Sequence, residues 1–498
     1  MDSNLVLQEL RIKVNKRFVG FNPDGDSIKP IHIAGGVFRA IYGYTLDTRK
    51  IKQFAFVVSK KGIYPNDPKG KSAEVDEQVV NELIEALNCF DEAPDRDSLK
   101  SMRTMFQRLL GTDDGLFPDN SQLTFSAGSK YFIKTRAQYE DAGEFIGGVV
   151  KEYCPSLATY IRDVLADADD PISVLLSPMQ DEHETEWKND ADLIHKTIPA
   201  FIDKAPAMVW YLEGLKESGD CLRNNLERMP NALTRLRIFN FFCIYHLIRY
   251  MSLLEAFYCG GQIWPFLYEF SDSVQSGIAT ASTASYARVH QSVSRFYSWA
   301  FAQELEARGL TFAEMLVSET PVNNANKTPK PQEQAELDSQ WELAKNTAVS
   351  LPPEQGMLEF GKTIYNMTSM QSSGYPVTFL RILGAQAGIV FPTQRDSKRK
   401  RFRFSQDTLE MVMRSCVDGS ETITYAELCS RLWRRFNVVI SGMPYNDSPE
   451  LHGIFSDIGL DSDLLEENHQ RCVHVLEAMD FADIMADGIL KVHLGGKN

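Results

Sequence analysis

The tripeptide Gly70-Lys71-Ser72 is the segment of this sequence that comes nearest to a nucleotide-binding motif. It follows a predicted strand and precedes a predicted helix, which is the setting of a phosphate-binding loop. That loop also needs a glycine five residues before Gly70, where the backbone approaches the phosphate, and the sequence has Pro65 there. We therefore expect this segment to be structural rather than catalytic.

An arginine and a histidine on one helix can act together on RNA in some helical nucleases. The nearest pair is Arg237 and His246, which are nine positions apart, a wider spacing than such sites use. His246 lies among aromatic residues. The pattern favours a hydrogen-bonded histidine in the core.

Acidic residues are concentrated in residues 163–192, which contain ten Asp or Glu side chains and one base, Lys188. His183 and His195 lie in or near this stretch, but the spacing of a metal-binding helix such as H-E-x-x-H is missing. A solvated acidic loop that docks a basic partner is the better interpretation. No cofactor is predicted.

Two basic islands oppose the net charge of −15. Residues 1–62 have a net charge of +6, and residues 395–403 have +5 with Phe402 and Phe404 interleaved. Cations beside aromatic rings can hold a phosphate backbone and stack on bases, whereas the alternative is a solvated loop. The predicted nucleic-acid-binding residues are Lys398, Arg399, Lys400, Arg401 and Arg403, together with Arg11, Lys13, Lys60 and Lys61.

The elements that would position these residues form a mainly α (α+β) protein. Residues 1–62 are predicted as a small antiparallel β region, since Leu10, Ile12 and Val14 alternate with basic residues. Residues 63–317 are predicted as a helical central domain whose longest helix, residues 231–258, is buried. A proline-rich linker at 318–332 and a helical segment at 333–394 precede the C-terminal domain, residues 395–498.

The C-terminal domain has the clearest local signals. Ser405 can cap a first helix, Thr424 and Glu427 form a capping box for a second, and a third covers residues 463–479. Residues 481–494 are then predicted as a strand, a turn and a strand. Three helices followed by a hairpin resemble a winged helix, although about 25 residues separate the second and third helices.

The third helix is too acidic to read a DNA groove, because its carboxylates would repel phosphate. Its apolar face (Leu465, Cys472, Leu476, Met479) is expected to pack inside the domain. Glu466, Glu467 and Glu477 are therefore predicted to bind a protein partner.

Composition points to a cytoplasmic protein. The eight cysteines form no C-x-x-C pair, and the first residues lack the basic and apolar regions of a secretion signal. The most apolar stretch, residues 238–248, is much shorter than the roughly 20 residues of a membrane span.

Two stretches, residues 265–293 and 391–441, resemble accessory, non-motor proteins of bacterial DNA-defence clusters linked to methylation or phosphorothioate marks. The resemblance implies a role beside a helicase, nuclease or methyltransferase in phage restriction, and it assigns no active-site residues.

The function predicted from these features is that of a non-catalytic subunit of a DNA-handling, anti-phage complex. It would bridge partner proteins and contact DNA through the basic islands, and it is not expected to associate with a membrane. The alternatives are a divergent nuclease or nucleotide hydrolase with an unrecognised active site, and a protein-only adaptor.

The structural interpretation of Gly70-Lys71-Ser72 makes a first prediction. Purified protein should show no metal-dependent ATP turnover, and Lys71→Ala should behave like the wild type. ATP turnover that Lys71→Ala abolishes would show that Pro65 does not prevent phosphate binding.

Overall fold

The computed structural model describes residues 5–23, 28–45, 141–167, 185–186, 205–271, 273–324, 330–371, 376–394, 398–442, 450–485 and 489–495. Over these residues the protein is mainly helical, as predicted. A π-helical turn (Asn15–Val19) accompanies the helices α1 (Leu7–Val14), α2 (Pro30–Tyr42), α3 (Asp141–Tyr153), α4 (Pro155–Asp167), α5 (Pro206–Glu227), α6 (Ala232–Ser252), α7 (Leu254–Cys259), α8 (Gly277–Ala307), α9 (Phe312–Val317), α10 (Pro331–Ala348), α11 (Pro353–Gln371), α12 (Val377–Gln386), α13 (Gln406–Cys416), α14 (Tyr425–Phe436), α15 (Glu450–Asp457) and α16 (Ser462–Ala478).

The strands are short. They are β1 (Tyr44–Thr45), β2 (Thr185–Glu186), β3 (Phe266–Leu267), β4 (Val390–Phe391), β5 (Arg401–Phe402), β6 (Ile423–Thr424), β7 (Val438–Val439), β8 (Ala482–Ile484) and β9 (Leu490–Val492). The chain divides into two compact units. Unit 1 comprises Met1–Ile28, Ala191–Asn225 and Ile244–Asn498, and unit 2 comprises Lys29–Asp190 and Leu226–Cys243.

Unit 2 is organised around the contact between α2 and α3. Gly143 and Gly147 lie so close to the α2 backbone at Ile33 and Val37 that neither position has room for a Cβ. Because the helices touch there, the Arg39 guanidinium and the Glu144 carboxylate meet at 2.9 Å with both side chains fully buried.

The prediction of an antiparallel sheet at residues 1–62 is wrong for the part that is described. Residues Leu7–Val14 and Pro30–Tyr42 are helices, and one strand pair, β1 with β2, is described in this region. Leu10 and Val14 are fully buried whereas Ile12 is 49% exposed. The apolar residues therefore follow a helical spacing of four, although the alternation of residue types suggested a strand. Residues 46–62 lie outside the described residues.

The prediction of a buried helix at residues 231–258 is confirmed in part, because the segment is divided into α6 and α7 at Leu253, and α8, with 31 residues, is longer than either. Every residue from 238 to 252 of α6 is buried, and α7 follows directly. In unit 1, α8 packs against α11, and Gly361 allows the close approach because its position touches the Ser298 carbonyl. No helix within the described ranges combines the length and apolarity that a membrane span requires.

The predicted linker at 318–332 is paired with the N-terminal segment where it is described. The Leu7 amide donates to the Val322 carbonyl, and the Val322 amide donates to the Leu5 carbonyl, each at 2.9 Å. The Trp341 indole of α10 donates to the Ser318 carbonyl at 3.4 Å. This segment lies within unit 1 and does not separate the two units.

The helices and the hairpin predicted at the C-terminus are confirmed as local elements. Ser405, Thr424 and Asp461 accept backbone hydrogen bonds at the starts of α13, α14 and α16. Strands β8 and β9 are antiparallel, and β6 adds to β9, so the sheet order is β6-β9-β8. The long connection between α14 and α16 contains strand β7 and helix α15. Strand β7 pairs in parallel with β3.

Arg249 connects this C-terminal region to the helical core of unit 1. Its guanidinium is fully buried and donates to the Asn437 side-chain oxygen at 2.7 Å, the Arg434 carbonyl at 2.9 Å and the Tyr211 carbonyl at 3.2 Å. It also lies against the rings of Trp210 and Tyr211, at 4.7 and 5.1 Å. One side chain therefore joins α5, α6 and the end of α14.

A buried arginine normally needs a carboxylate, yet the partners of Arg249 in the described structure are neutral. The carbonyls at the end of α14 carry the negative end of the helix dipole, which stabilises a cation there. Asn437 ends α14 in the left-handed region, with φ of 57°. Burial lowers the pKa of Arg249 to about 10, so the guanidinium remains charged at pH 7.

Replacing Arg249 should be severely destabilising. Arg249→Met removes the buried donor to the Asn437 side-chain oxygen and to the Arg434 carbonyl at the end of α14, and we expect the free energy of unfolding to fall by at least about 3 kcal/mol. The matched control is Lys362→Met on α11, where the side chain is 57% exposed, and it should change stability by less than about 0.5 kcal/mol. Urea denaturation measures both. Equal stabilities would show that Arg249 does not hold the core together.

Candidate nucleic-acid interface

Strands β4 and β5 form an antiparallel hairpin that contains most of the second basic island. Val390 pairs with Phe402 and Phe391 pairs with Arg401. Residues 392–400 connect the two strands, and of these 395–397 lie outside the described residues. The hairpin is therefore the element that decides which basic side chains reach solvent.

The base of the hairpin is fixed in the core by aromatic packing and one hydroxyl. The Phe402 ring stacks on Phe266 with centroids 4.7 Å apart, and the Phe404 ring stacks on Tyr268. The Phe402 amide donates to the Ser282 hydroxyl at 3.0 Å, and that hydroxyl donates to the Leu267 carbonyl at 2.7 Å. Phe402 is thus a core residue, and the prediction that it stacks on bases is wrong, whereas Phe404 is half-buried with its ring stacked on Tyr268.

Glu269 supplies the charge that allows Arg401 to be buried. Its carboxylate is fully buried and accepts from the Arg401 guanidinium at 2.7 Å, and also from the Ser271 amide at 2.7 Å. Arg403 is 37% exposed, lies 3.7 Å from the same carboxylate and donates to the Ser271 carbonyl at 3.2 Å. The Arg401 side chain is 4% exposed, so the prediction that it contacts nucleic acid is wrong.

Lys400 is likewise a structural residue. It is 4% exposed, and its ammonium donates to the Gln394 carbonyl at 2.6 Å and to the Pro392 carbonyl. The cation closes the connection between β4 and β5 from inside. Its predicted role in nucleic-acid binding is also wrong, because its donors are directed at the hairpin backbone.

The exposed part of the hairpin is smaller than the sequence predicts but remains basic. Lys398 and Arg399 are exposed at the tip. Phe391 is 42% exposed, and the Arg403 guanidinium lies 5.9 Å from the centre of its ring. Two cations at the tip, a partly exposed arginine and an exposed aromatic ring therefore share one braced hairpin.

The first basic island does not form a comparable surface in the described residues. Lys13 is exposed on α1, Arg11 is half-buried, and Lys60 and Lys61 lie outside the described residues. Other cations of the island are already paired: Arg17 lies 3.6 Å from Glu304, and Arg39 is buried against Glu144. This island offers Lys13 as its clearest exposed cation.

The acidic helix α16 has the orientation that the sequence predicts. Leu465, Cys472 and Leu476 are buried, while Met479 is half-buried. The Asn468 side chain fixes the helix by donating to the Tyr268 and Ile440 carbonyls, at 2.8 and 2.9 Å. The exposed face holds Glu466 and Glu467, and the Glu477 side chain is 33% exposed.

His246 shows a superficially catalytic arrangement. Its Nε2 lies 3.2 Å from the Ser218 hydroxyl, but both side chains are fully buried. Ser218 donates to the Gly214 carbonyl of its own helix at 2.7 Å. Burial and the charge of Arg249 lower the pKa of His246 well below its usual range. The pair is inaccessible to substrate, as expected for a core histidine.

The remaining motifs from the sequence, the phosphate-loop-like tripeptide and the acidic stretch with its two histidines, fall largely or wholly on residues that the structure does not describe. Gly70-Lys71-Ser72, His183 and His195 lie outside the described residues, as does most of the acidic stretch. Within the described ranges, no group of three or more His, Cys, Asp or Glu side chains is placed to hold a metal ion.

Comparisons with protein-family models, with curated proteins and with solved structures gave no match.

Sequence reasoning missed Glu269, the residue that sorts the basic island into buried and exposed cations. The available signal was a single acid inside the aromatic run Phe266–Leu267-Tyr268-Glu269-Phe270. An acid flanked by buried aromatic residues requires a cationic partner. The sequence could not show that the partner lies 132 residues away.

Proposed function

We propose that this protein is a non-catalytic subunit of a multi-protein DNA-handling complex, which contacts DNA through the tip of the β4–β5 hairpin. The observation that carries the proposal is the division of the basic island: Lys400 and Arg401 brace the hairpin from inside, while Lys398 and Arg399 are exposed at its tip. A purely solvated loop would not need two buried cations to hold its shape.

The bracing favours binding for a thermodynamic reason. Fixing flexible side chains and loops costs free energy when a complex forms, and a preorganised element has already lost that freedom. Phosphates then bind the exposed cations with release of counterions, which makes the affinity strongly salt-dependent. Phe391 beside Arg403 adds an aromatic face on which an unpaired base can stack.

The C-terminal elements support a winged-helix-like domain that serves protein contacts. Helix α13, strand β6, helices α14 and α16 and the β8–β9 hairpin follow the order of such a domain, and the first strand pairs with the last. The exposed carboxylates of α16 would repel a phosphate backbone. We therefore assign α16 to a basic surface of a partner subunit, through Glu466, Glu467 and Glu477.

The proposed setting is an anti-phage defence cluster, in which a helicase, nuclease or methyltransferase supplies the chemistry. This part of the proposal rests on the resemblance of residues 265–293 and 391–441 to accessory proteins of such clusters.

Removing the tip cations should change DNA binding through charge. Lys398→Ala with Arg399→Ala should weaken binding to duplex DNA and reduce the slope of log affinity against log salt by about 2, since each phosphate contact contributes about 0.9. Fluorescence anisotropy over a salt series measures this slope.

Two controls make that measurement specific. Arg162→Ala with Lys362→Ala makes the same change in net charge at side chains that are 52% and 57% exposed, and it should leave the slope unchanged. Arg401→Ala should instead lower stability by about 3–5 kcal/mol, because it strands the buried Glu269. Absence of wild-type binding at low salt, alone and with the proteins encoded by neighbouring genes, would favour a protein-only adaptor.

The acidic helix makes a separate prediction. Glu466→Lys with Glu467→Lys should disrupt assembly with a basic partner, because like charges at a desolvated contact cost several kcal/mol. Its own fold should change little, since both positions are exposed. Co-expression with the neighbouring gene products followed by pull-down tests this, with Glu336→Lys and Glu342→Lys on α10 as the matched control. Normal recovery of partners by the α16 variant would remove this helix from the interface.

A further inference from the structure

Tyr286 and His290, one turn apart on α8, form an unusual polar cluster with Arg381 of α12. The Tyr286 and His290 rings have centroids 4.1 Å apart, and Arg381 interacts electrostatically with both side chains. Tyr286 is 9% exposed. Its hydroxyl and the Nε of Arg381 are both buried, and neither has a hydrogen-bond partner among the described residues.

The cluster contains a cation that the described protein does not neutralise. Elsewhere in unit 1, Arg295, Arg401 and Arg431 each meet a carboxylate within 2.7 Å, whereas no described carboxylate pairs with Arg381. Buried donors without acceptors are rare in folded proteins, and an unseen ion or water is a usual explanation. A guanidinium that interacts electrostatically with a neighbouring phenol and imidazole provides, together with them, a donor set for an anion.

The position of the cluster connects it to the hairpin. The Tyr286 ring packs against Phe402 of β5 with centroids 5.6 Å apart. Gly384, one turn after Arg381, has no room for a Cβ because Val390 of β4 lies against it. The two polar helix faces therefore flank the base of the hairpin whose tip bears Lys398 and Arg399.

We propose that Arg381, Tyr286 and His290 bind a phosphate group. The planar guanidinium can donate two parallel hydrogen bonds to phosphate oxygens, which a point-charge lysine cannot do. If the proposed function is correct, the group is a backbone phosphate of the same DNA, so this part of the inference rests on that function. The other source of the same chemistry is free phosphate or a phosphomonoester.

The charge state of His290 is consistent with this role. Burial and the nearby Arg381 lower the pKa of His290 to about 3, so the imidazole is neutral at pH 7. A neutral ring can donate from one nitrogen without adding a second charge beside Arg381.

Inorganic phosphate is the first probe. Calorimetric titration of the full chain should show binding that Arg381→Gln weakens at least tenfold. Tyr286→Phe should weaken it several-fold without lowering the melting temperature of the free protein, because its hydroxyl has no partner to lose. Arg295→Gln, on the same helix but already paired with Glu255, should bind phosphate like the wild type.

A duplex oligonucleotide is the second probe, and it separates the sources. Weaker DNA binding by folded Arg381→Gln would support a backbone phosphate. Phosphate binding that needs Arg381, with DNA binding indifferent to it, would support the site and assign it to free phosphate or a phosphomonoester.

The two proposals can fail separately. A wild type that binds no phosphate, while Lys398 and Arg399 still support DNA binding, would overturn the phosphate site alone. Phosphate binding that depends on Arg381, in a protein that binds no DNA, would overturn the proposed function and leave the site standing. Unchanged phosphate binding by both folded Arg381→Gln and Tyr286→Phe would overturn the assignment of these residues.

Discussion

The interaction on which unit 1 depends most is the burial of the Arg249 charge against neutral acceptors. Desolvating a guanidinium is costly, and here the compensation comes from the Arg434 carbonyl at the end of α14, the Tyr211 carbonyl, one side-chain amide oxygen and two aromatic faces rather than from a carboxylate. Each of these partners must be placed accurately. Gly214 shows how tight the arrangement is, since a Cβ there would meet both the Arg434 carbonyl and the Arg249 guanidinium.

The β4–β5 hairpin also contains a buried arginine, Arg401, but here the partner is a carboxylate, that of Glu269. Glu269 is buried with Arg401, so one end of the basic island becomes part of the core while the other end is left in water. A run of like charges is usually extended and solvated. Here neighbouring cations have opposite roles, because Lys400 and Arg401 face internal oxygens and Lys398 and Arg399 do not lie in the interior. The exposed basic surface of the hairpin is consequently small and well defined.

Helix caps and buried helices could be predicted from neighbouring residues, whereas pairings between residues far apart in sequence could not. The caps at Ser405 and Thr424 and the buried helix α6 follow from residues close together in sequence, which is why they could be predicted. The N-terminal sheet was wrong because Leu10, Ile12 and Val14 fit both a strand and a helix, and only burial distinguishes them. The division of the basic island into buried and exposed cations depends on Glu269. The polar cluster of Tyr286, His290 and Arg381 depends on the approach of α12 to α8. No local pattern encodes such pairings.

The separation in sequence of these buried partners has a consequence for the order of folding. Arg249 can pair with Asn437 only after 188 further residues have been synthesised, and Glu269 can pair with Arg401 only after 132. Until those residues leave the ribosome, Arg249 and Glu269 lack the partners that allow a charged side chain to be buried in unit 1. Its helices can form early, but their final packing must follow synthesis of the C-terminal region. In the cell, this chain would therefore need protection of its aromatic core while the 188 residues from Arg249 to Asn437 are translated.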